Sequence, residues 1–550
     1  MSRKLSILLS SVLASVCANA ADQPFFTIQE LSSDPAEYGY KLADTTNTYA
    51  SLYQKYDWWS YFDSTPTEID LSDRYSYVSG CNFDGEICQT FMDDGNENDG
   101  KGGSFFHALH YNLSYVSSGL NSSSVQDQFT GIRRDLGTDG SFIAGWKENT
   151  NRSFDSGVRY PVIWNNGTLL QLSDRGFGQA SSSLKLSDGS HMVGGASSET
   201  QITENERYYY CYVDYDTDDF SADMNNCPGY HNKATVWIVG NDTSLQNTLY
   251  LPHYGAADDD GISTADIRKI VYFNNTYYAV GYSAYDEIVL DSTNVATFWT
   301  FNYDPSTKTF SNVSQARLPN GLDRPNHGDD YFGSTWFTDA NEKGIAIGNA
   351  RYLVQKNRAY PIEMFVYDYK NDVVTYPIIN KPFYGASNRA VAINNNNLIV
   401  GVAEDKEFQE TEVSGNPRQQ NGYIYNHNTG TLYNLNELIC SSSTCEINGK
   451  YYYIYNVSDI NDNNVIIANA YRYESREDWG SYVNATNVAV MLSSDKFATD
   501  GKFTIPDEYV VAYDRAQVTY GEDHGGGSGS NPLLMILSLA VLSFLRMRMK

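Results

Sequence analysis

Cations are scarce in this sequence. Its 550 residues carry 38 Lys plus Arg against 67 Asp plus Glu, a formal net charge of −29. Phosphate recognition needs clustered cations, so nucleic acid is excluded as a partner. The acidic balance favours solubility and the attraction of metal cations. Catalytic fingerprints are missing too: no HExxH, GxSxG, P-loop or dinucleotide-binding pattern occurs, which removes the motif-defined zinc, serine-hydrolase and nucleotide enzymes. Cysteine is rare, seven in all, and no CxxC or nearby His spacing marks a zinc site. Interior apolar runs stop short of helical length, which argues for strands.

What is present is a repeat. Ala386 to Leu435 reads NRAVAINNNNLIVGVAED, a polar excursion, then NGYIYNHNTGTLYNL. Val391 to Ile393, Leu398 to Val400, Tyr423 to Tyr425 and Thr431 to Leu435 are four strand-like runs, A to D, bounded by Asn- and Gly-rich turns that supply the positive φ of tight hairpins. Related units include GIRRDLGTDGSFIAGW with YPVIWNNGTLLQL, DIRKIVYFNNTYYAVGY with ATFWTFNYDPSTKTF, and VSDINDNNVIIANAYRY with NVAVMLSSDKFATDGKFTI. The first unit is expected at Glu68 to Leu71, Tyr75 to Ser79, Phe105 to Tyr111 and Ser114 to Ser117, after a lone strand at Phe25 to Leu31. Strand B ends in matching small residues, Gly80, Gly145, Gly194, Gly281, Gly348, Gly401 and Asn469, spaced by about 65 residues. Such units bury their faces against one another in a radial stack. The expectation is all-β: a β-propeller of about seven four-stranded blades over residues 21–524, or six if the first unit is not a blade. Hydrophobic content of 41% supports a core, and the 45 Tyr are mostly strand residues.

The ends give an address. Residues 1–20 have a basic start, an apolar stretch and Ala18-Asn19-Ala20, a secretory signal peptide cleaved after Ala20. Cys17 leaves with it. The other six cysteines form close pairs, Cys81 with Cys88, Cys211 with Cys227 and Cys440 with Cys445, and outside a reducing compartment these imply three local disulfides. At the far end a Gly/Ser linker (525–531) meets an apolar, membrane-spanning run (532–545) and a basic, cytoplasmic tail (546–550). The run covers about 21 Å as a helix, short for a bilayer core of about 30 Å.

Gly525, Gly526, Gly527, Ser528 and Gly529, the Leu-rich segment and the basic end together resemble the GlyGly-CTERM sorting tail of bacterial envelope proteins. That resemblance implies a rhomboid-type sorting protease and secretion machinery as partners, transient anchoring in the inner membrane, and then surface display or release. A GPI signal is the rival, but its tail normally ends apolar. AINNNNLIVGVAED with GYIYNHNTGTLYNL resembles the HAF-type extracellular repeat of bacteria. Chains joining such repeats to this tail resemble an uncharacterised secreted bacterial family, so the resemblance implies no activity.

In a four-stranded blade the B–C and D–A connections share one face. All three cysteine pairs and the acidic excursions Asp93 to Asp99, Asp214 to Asp219 and Asp258 to Asp260 fall in such connections, so that face is expected to be functional. Asp94, Asn96 and Asn98 imitate the start of a calcium loop, as do Asp459, Asn461 and Asn463, but both lack the Gly at position six and Glu at position twelve. Calcium is the cofactor such loops would take; Asp459 to Asn464 reads better as an A–B turn. His107 and His110 would lie on opposite faces of a strand. No catalytic or cofactor-binding residue is assigned. The favoured reading is an exported, non-catalytic surface or secreted module whose loop face binds a glycan, a protein or divalent cations. The alternative is an extracellular polysaccharide hydrolase or lyase with convergent Asp, Glu, His or Tyr at the centre of the disk. N-terminal sequencing of the exported protein is expected to begin at Ala21; retention of residues 1–20 would remove the export argument.

Overall fold

The computed structural model describes residues 23–512 apart from 33–34, 36, 47–49, 55–115, 118–132, 149–158, 166, 174–177, 201–230, 255–264, 286–292, 321, 323–331, 353–355, 357–360, 379–380, 410–417 and 443–444. The chain divides into two units, Met1–Asp514 and Arg515–Lys550, and all described residues lie in the first.

Tight Asn and Gly turns divide the chain into short antiparallel strands. Asn274, Asn275, Asn397 and Asn464 take positive φ, as do Gly140, Gly189 and Gly344, the conformation hairpins need and side chains other than Asn and Asp resist. The described strands form seven sheets. The first comprises Glu37–Leu42, Ala50–Gln54 and Val116–Ser117. Sheets two to six are four-stranded meanders whose first strands are Arg133–Asp135, Gln179–Lys185, Ala265–Phe273, Phe332–Ala340 and Asn388–Ile393. The seventh runs Lys450–Ile460, Ile466–Tyr473, Thr486–Ser493. Each first strand touches the first strand of the next sheet, and that of sheet seven touches that of sheet one. The sheets therefore form a closed, propeller-like ring with the first strands innermost.

Among the described residues the core is divided into several clusters. Apolar clusters fill the spaces between neighbouring sheets, as where Val236 of sheet three meets Ile267 and Trp299 of sheet four, or Leu42 and Leu52 of sheet one meet Ile467 and Met491 of sheet seven. On the side of the A–B turns, Asn side chains join the sheets. Asn394 Oδ1 accepts from Asn396 and Leu398 N–H in its own turn, while its Nδ2 donates to Asn461 O at 2.9 Å and Asn464 Oδ1 at 2.8 Å in the next sheet. Asn341 and Asn461 repeat the device, which gives the Asn-rich turn a physical reason. The strand Lys450–Ile460 ends just after Asp459 and Asn461 opens the turn, so this segment is an A–B turn.

Three sequence expectations need correction. The strand near Phe25 does not stand alone: Thr27–Glu30 pairs antiparallel with Thr486–Ser493 and supplies the outermost strand of sheet seven. The end of NVAVMLSSDKFATDGKFTI, quoted above as part of that unit, forms a turn closed by Ala498 N–H to Thr504 O. The first described sheet begins at Glu37, in a Tyr- and Asp-rich stretch where no strand was expected, while Glu68 to Leu71, Tyr75 to Ser79 and Phe105 to Tyr111 lie outside the described residues. Finally, Ala468, not Asn469, stands where sheet five has Gly348. Asn469 matches Asn349, since both use their amide to bind the adjacent sheet, at Gly39 N–H (2.7 Å) and Ala390 N–H (2.9 Å). Among the described residues no helix is long and apolar enough to cross a membrane, and residues 532–545 lie outside them.

Phe25 and Phe26 lead into the closing strand and are fully buried in the cluster of sheets six and seven. Phe26→Ala is expected to cost about 3–5 kcal/mol, whereas Thr27→Ala on the exposed face should stay within about 0.5 kcal/mol. Denaturant unfolding of the two variants checks this.

Candidate binding site at the axis of the ring

Every innermost strand carries a bulge at the same place. One extra residue separates Gly39 from Lys41, Arg133 from Asp135, Ala180 from Ser182, Ile267 from Lys269, Phe337 from Asp339, Ala390 from Ala392 and Val457 from Asp459. The strand-B glycines of the repeat face these bulges. A Cβ on Gly281 would lie 1.9 Å from Asp266 O, and one on Gly401 2.0 Å from Arg389 O, so glycine is required in those sheets, whereas Leu52 and Ala468 take the equivalent place in sheets one and seven.

The residue after each bulge takes an equivalent place in the ring. In order round the ring these are Lys41, Asp135, Ser182, Lys269, Asp339, Ala392 and Asp459. Four of them accept a backbone N–H from the next sheet. Asp135 Oδ2 accepts from Ser183 at 2.6 Å, Ser182 Oγ from Ile270 at 3.0 Å, Asp339 Oδ2 from Ile393 at 3.0 Å, and Asp459 Oδ2 from Leu42 at 2.9 Å. In each case the donor directly follows the post-bulge residue of its own strand. The two lysines are charge partners instead. Lys41 Nζ lies 3.0 Å from Asp459 Oδ1. Burial opposes the charge of Lys269, but Asp44, Asp135, Asp339 and Asp459 outweigh it and its pKa rises. Lys41 behaves alike, with Asp459 and Asp339 overcoming burial. Asp44, just past the first inner strand, is pushed up to about 7, chiefly by burial, with Lys269 pulling the other way.

The bulged residues themselves line a cavity of about 170 Å3 on the side where the D–A and B–C connections join. Tyr40, Ser181, Arg268, Thr338, Val391 and Ser458 surround it, with Trp336 and Arg389 beside them and Lys269, Asp135 and Asp339 at its floor. Arg268 is committed: its Nε lies 3.4 Å from Asp266 Oδ2, and its guanidinium sits 5.4 Å from the centre of the Tyr282 ring. The cavity continues toward the Asn-rich turns as a smaller space of about 70 Å3.

Of the expected disulfides, Cys440–Cys445 is present, in the connection from sheet six to sheet seven. Cys81, Cys88, Cys211, Cys227, His107, His110, Asp94, Asn96 and Asn98 lie outside the described residues, as do the other acidic excursions. Asp459 and Asn461 bind backbone groups of the adjacent sheet, which accounts for them without a cation, and no described cluster of His, Cys, Asp or Glu could hold a metal ion. Sequence reasoning missed the axial charges because an isolated charge in an alternating strand reads as solvent-facing. The available signal was a carboxylate in register just before the A–B turn in RRDL, FTDA and VSDI.

A sequence profile for DUF3466, described as a protein of unknown function, matches residues 166–513. The chain belongs to this family. No curated protein matches it. Solved structures show distant likenesses. They include the acylaminoacyl peptidase of Pyrococcus horikoshii (TM-score 0.32, 11% identity, 62% of this chain and 43% of that one). The β-propeller domain of the Trilobed protease from Pyrococcus furiosus also matches (0.28, 10%, 63% and 82%), as does a protein of unknown function from Dyadobacter fermentans (0.31, 12%, 64% and 91%). The chain spans less than half the length of the Pyrococcus horikoshii peptidase. At these TM-scores none of the likenesses carries an argument about activity.

Asp44 makes the axis of this DUF3466 protein sensitive to pH. Its folded pKa of about 7 exceeds its ordinary value of 3.8, so the folded chain keeps a proton that the unfolded chain releases. Its contribution to stability therefore falls as pH rises from about 4 to 7. Asp44→Asn removes that loss: the melting temperature of the variant minus that of the wild type is expected to climb across this window and level off above it. A difference that stays flat from pH 4 to 8 would contradict the assignment.

Proposed function

We propose that this DUF3466 protein is an exported binding module built on a seven-bladed propeller, with its ligand site at the axial cavity and the surrounding loop face. The observation that carries this reading is the commitment of the axial carboxylates. Asp135, Asp339 and Asp459 each accept a backbone N–H of the adjacent sheet, so their oxygens join sheets, where a glycosidase would keep a free acid and base flanking a bond. The signal-like residues 1–20, the disulfide at Cys440–Cys445 and the resemblance of residues 525–550 to a GlyGly-CTERM tail support export, sorting by a rhomboid-type protease and surface display or release. A glycan or protein is the ligand class that a loop-rimmed cavity with Tyr and Trp side chains suits.

One observation favours a second reading, a polysaccharide hydrolase or lyase. Asp44, pushed up to about 7, has the protonation a general acid needs near neutral pH. A glycan-array and polysaccharide-degradation screen on the full chain separates the two. Retention on glycans with no release of shorter saccharides is expected; release of saccharides that stops in Asp44→Asn would establish the enzyme. Mass spectrometry of the native C-terminus tests the sorting step independently, with an end near the Gly-rich segment expected.

A further inference from the structure

Two side chains of the axial cavity lack partners. Ser181 is 8% exposed, and its Oγ is buried with no hydrogen bond, an arrangement that costs stability unless something else supplies the bond. Arg389, from sheet six, has no ion pair or side-chain hydrogen bond among the described residues. The other cations there are taken. Lys41 is held by Asp459, Arg268 by Asp266, and Lys269 sits among four carboxylates.

Size and charge narrow what would fill the space. About 170 Å3 is well below the ~300–1,000 Å3 of sites for drug-sized molecules, so the cavity admits one ring and not an oligomer. A free guanidinium selects a planar carboxylate, which it can grip with two parallel hydrogen bonds. Asp135 and Asp339 at the floor repel a doubly charged phosphate more than a monoanion. Hydroxyls of Ser181, Thr338 and Ser458 round the wall suit a ligand that itself carries hydroxyls. We propose that the cavity binds a single hydroxy-carboxylate ring, a uronic acid or the uronate end of a polysaccharide, with Arg389 on the carboxylate and Ser181 on a ring hydroxyl. The proposal rests on the reading of the axial cavity as the binding site and names its ligand.

Isothermal titration of the full chain in detergent with galacturonate, trigalacturonate, galactose and inorganic phosphate tests it. Both uronates are expected to bind, with galactose and phosphate at least about tenfold weaker. Arg389→Gln and Arg389→Lys should each weaken uronate binding about tenfold or more, at unchanged melting temperature. Ser181→Ala should weaken it several-fold without lowering the melting temperature, because the hydroxyl has no partner to lose in the free protein. Trimer binding more tightly than monomer would mark a polysaccharide end as the source; equal affinity would mark the free sugar acid. Galactose binding as tightly as galacturonate, or an Arg389→Gln variant that binds uronate normally, overturns the assignment and leaves a binding module of another specificity. Absence of uronate binding overturns it outright. Cleavage of trigalacturonate keeps the acidic ligand and overturns the non-catalytic reading.

Discussion

Neighbouring sheets meet at the axis through a side chain that accepts a main-chain N–H across the gap, and the rest of the structure depends on that contact. A ring of sheets has a geometrical difficulty at its centre, where the inner edge of a first strand has no further strand of its own sheet to pair with. Buried N–H groups must still find acceptors. The bulge answers this by turning one residue per strand inward, and Asp135, Ser182, Asp339 and Asp459 then reach the next strand. Glycine opposite the bulge in sheets three to six follows from the same geometry, since a side chain there would occupy the space of a carbonyl oxygen.

Buried carboxylates bring their own cost, because an uncompensated charge in a low-dielectric interior is strongly unfavourable. The chain has few cations, yet it places Lys41 and Lys269 at two of the seven equivalent axial positions, where neither can accept an N–H but both can balance charge. Division of labour within one ring of equivalent sites thus reconciles hydrogen bonding with electrostatics. Asp44 is the acid left over, and burial raises its pKa to about 7 against the pull of Lys269.

Much of the ring was legible in local pattern. Asn- and Gly-rich hairpins, the strand-B glycines and the four-strand rhythm each act over a few residues, and sheets two to six follow them. What sequence could not show depends on partners far along the chain. Thr27–Glu30 looks solitary because its mate begins at Thr486. Asn469 looked like a substitute for glycine because only the contact with Gly39 distinguishes it from Ala468. Of the site, the mouth residues Tyr40, Ser181, Arg268 and Ser458 carry no local signature at all; they share a wall only because seven bulges fall in register.

Closure by the N-terminal strand also dictates an order of events. A chain that emerges from its N-terminus first presents Phe25, Phe26 and an unpaired strand edge long before Thr486–Ser493 exists to cover them. During that interval the segment is a sticky, sheet-competent end, open to pairing with other chains. The last contact of the ring joins residues more than 460 positions apart, so completion waits on a long search that local structure cannot shorten. The segment from Phe25 to Glu30 is therefore the part of a nascent molecule most open to misassociation, and needs shelter until the final sheet arrives.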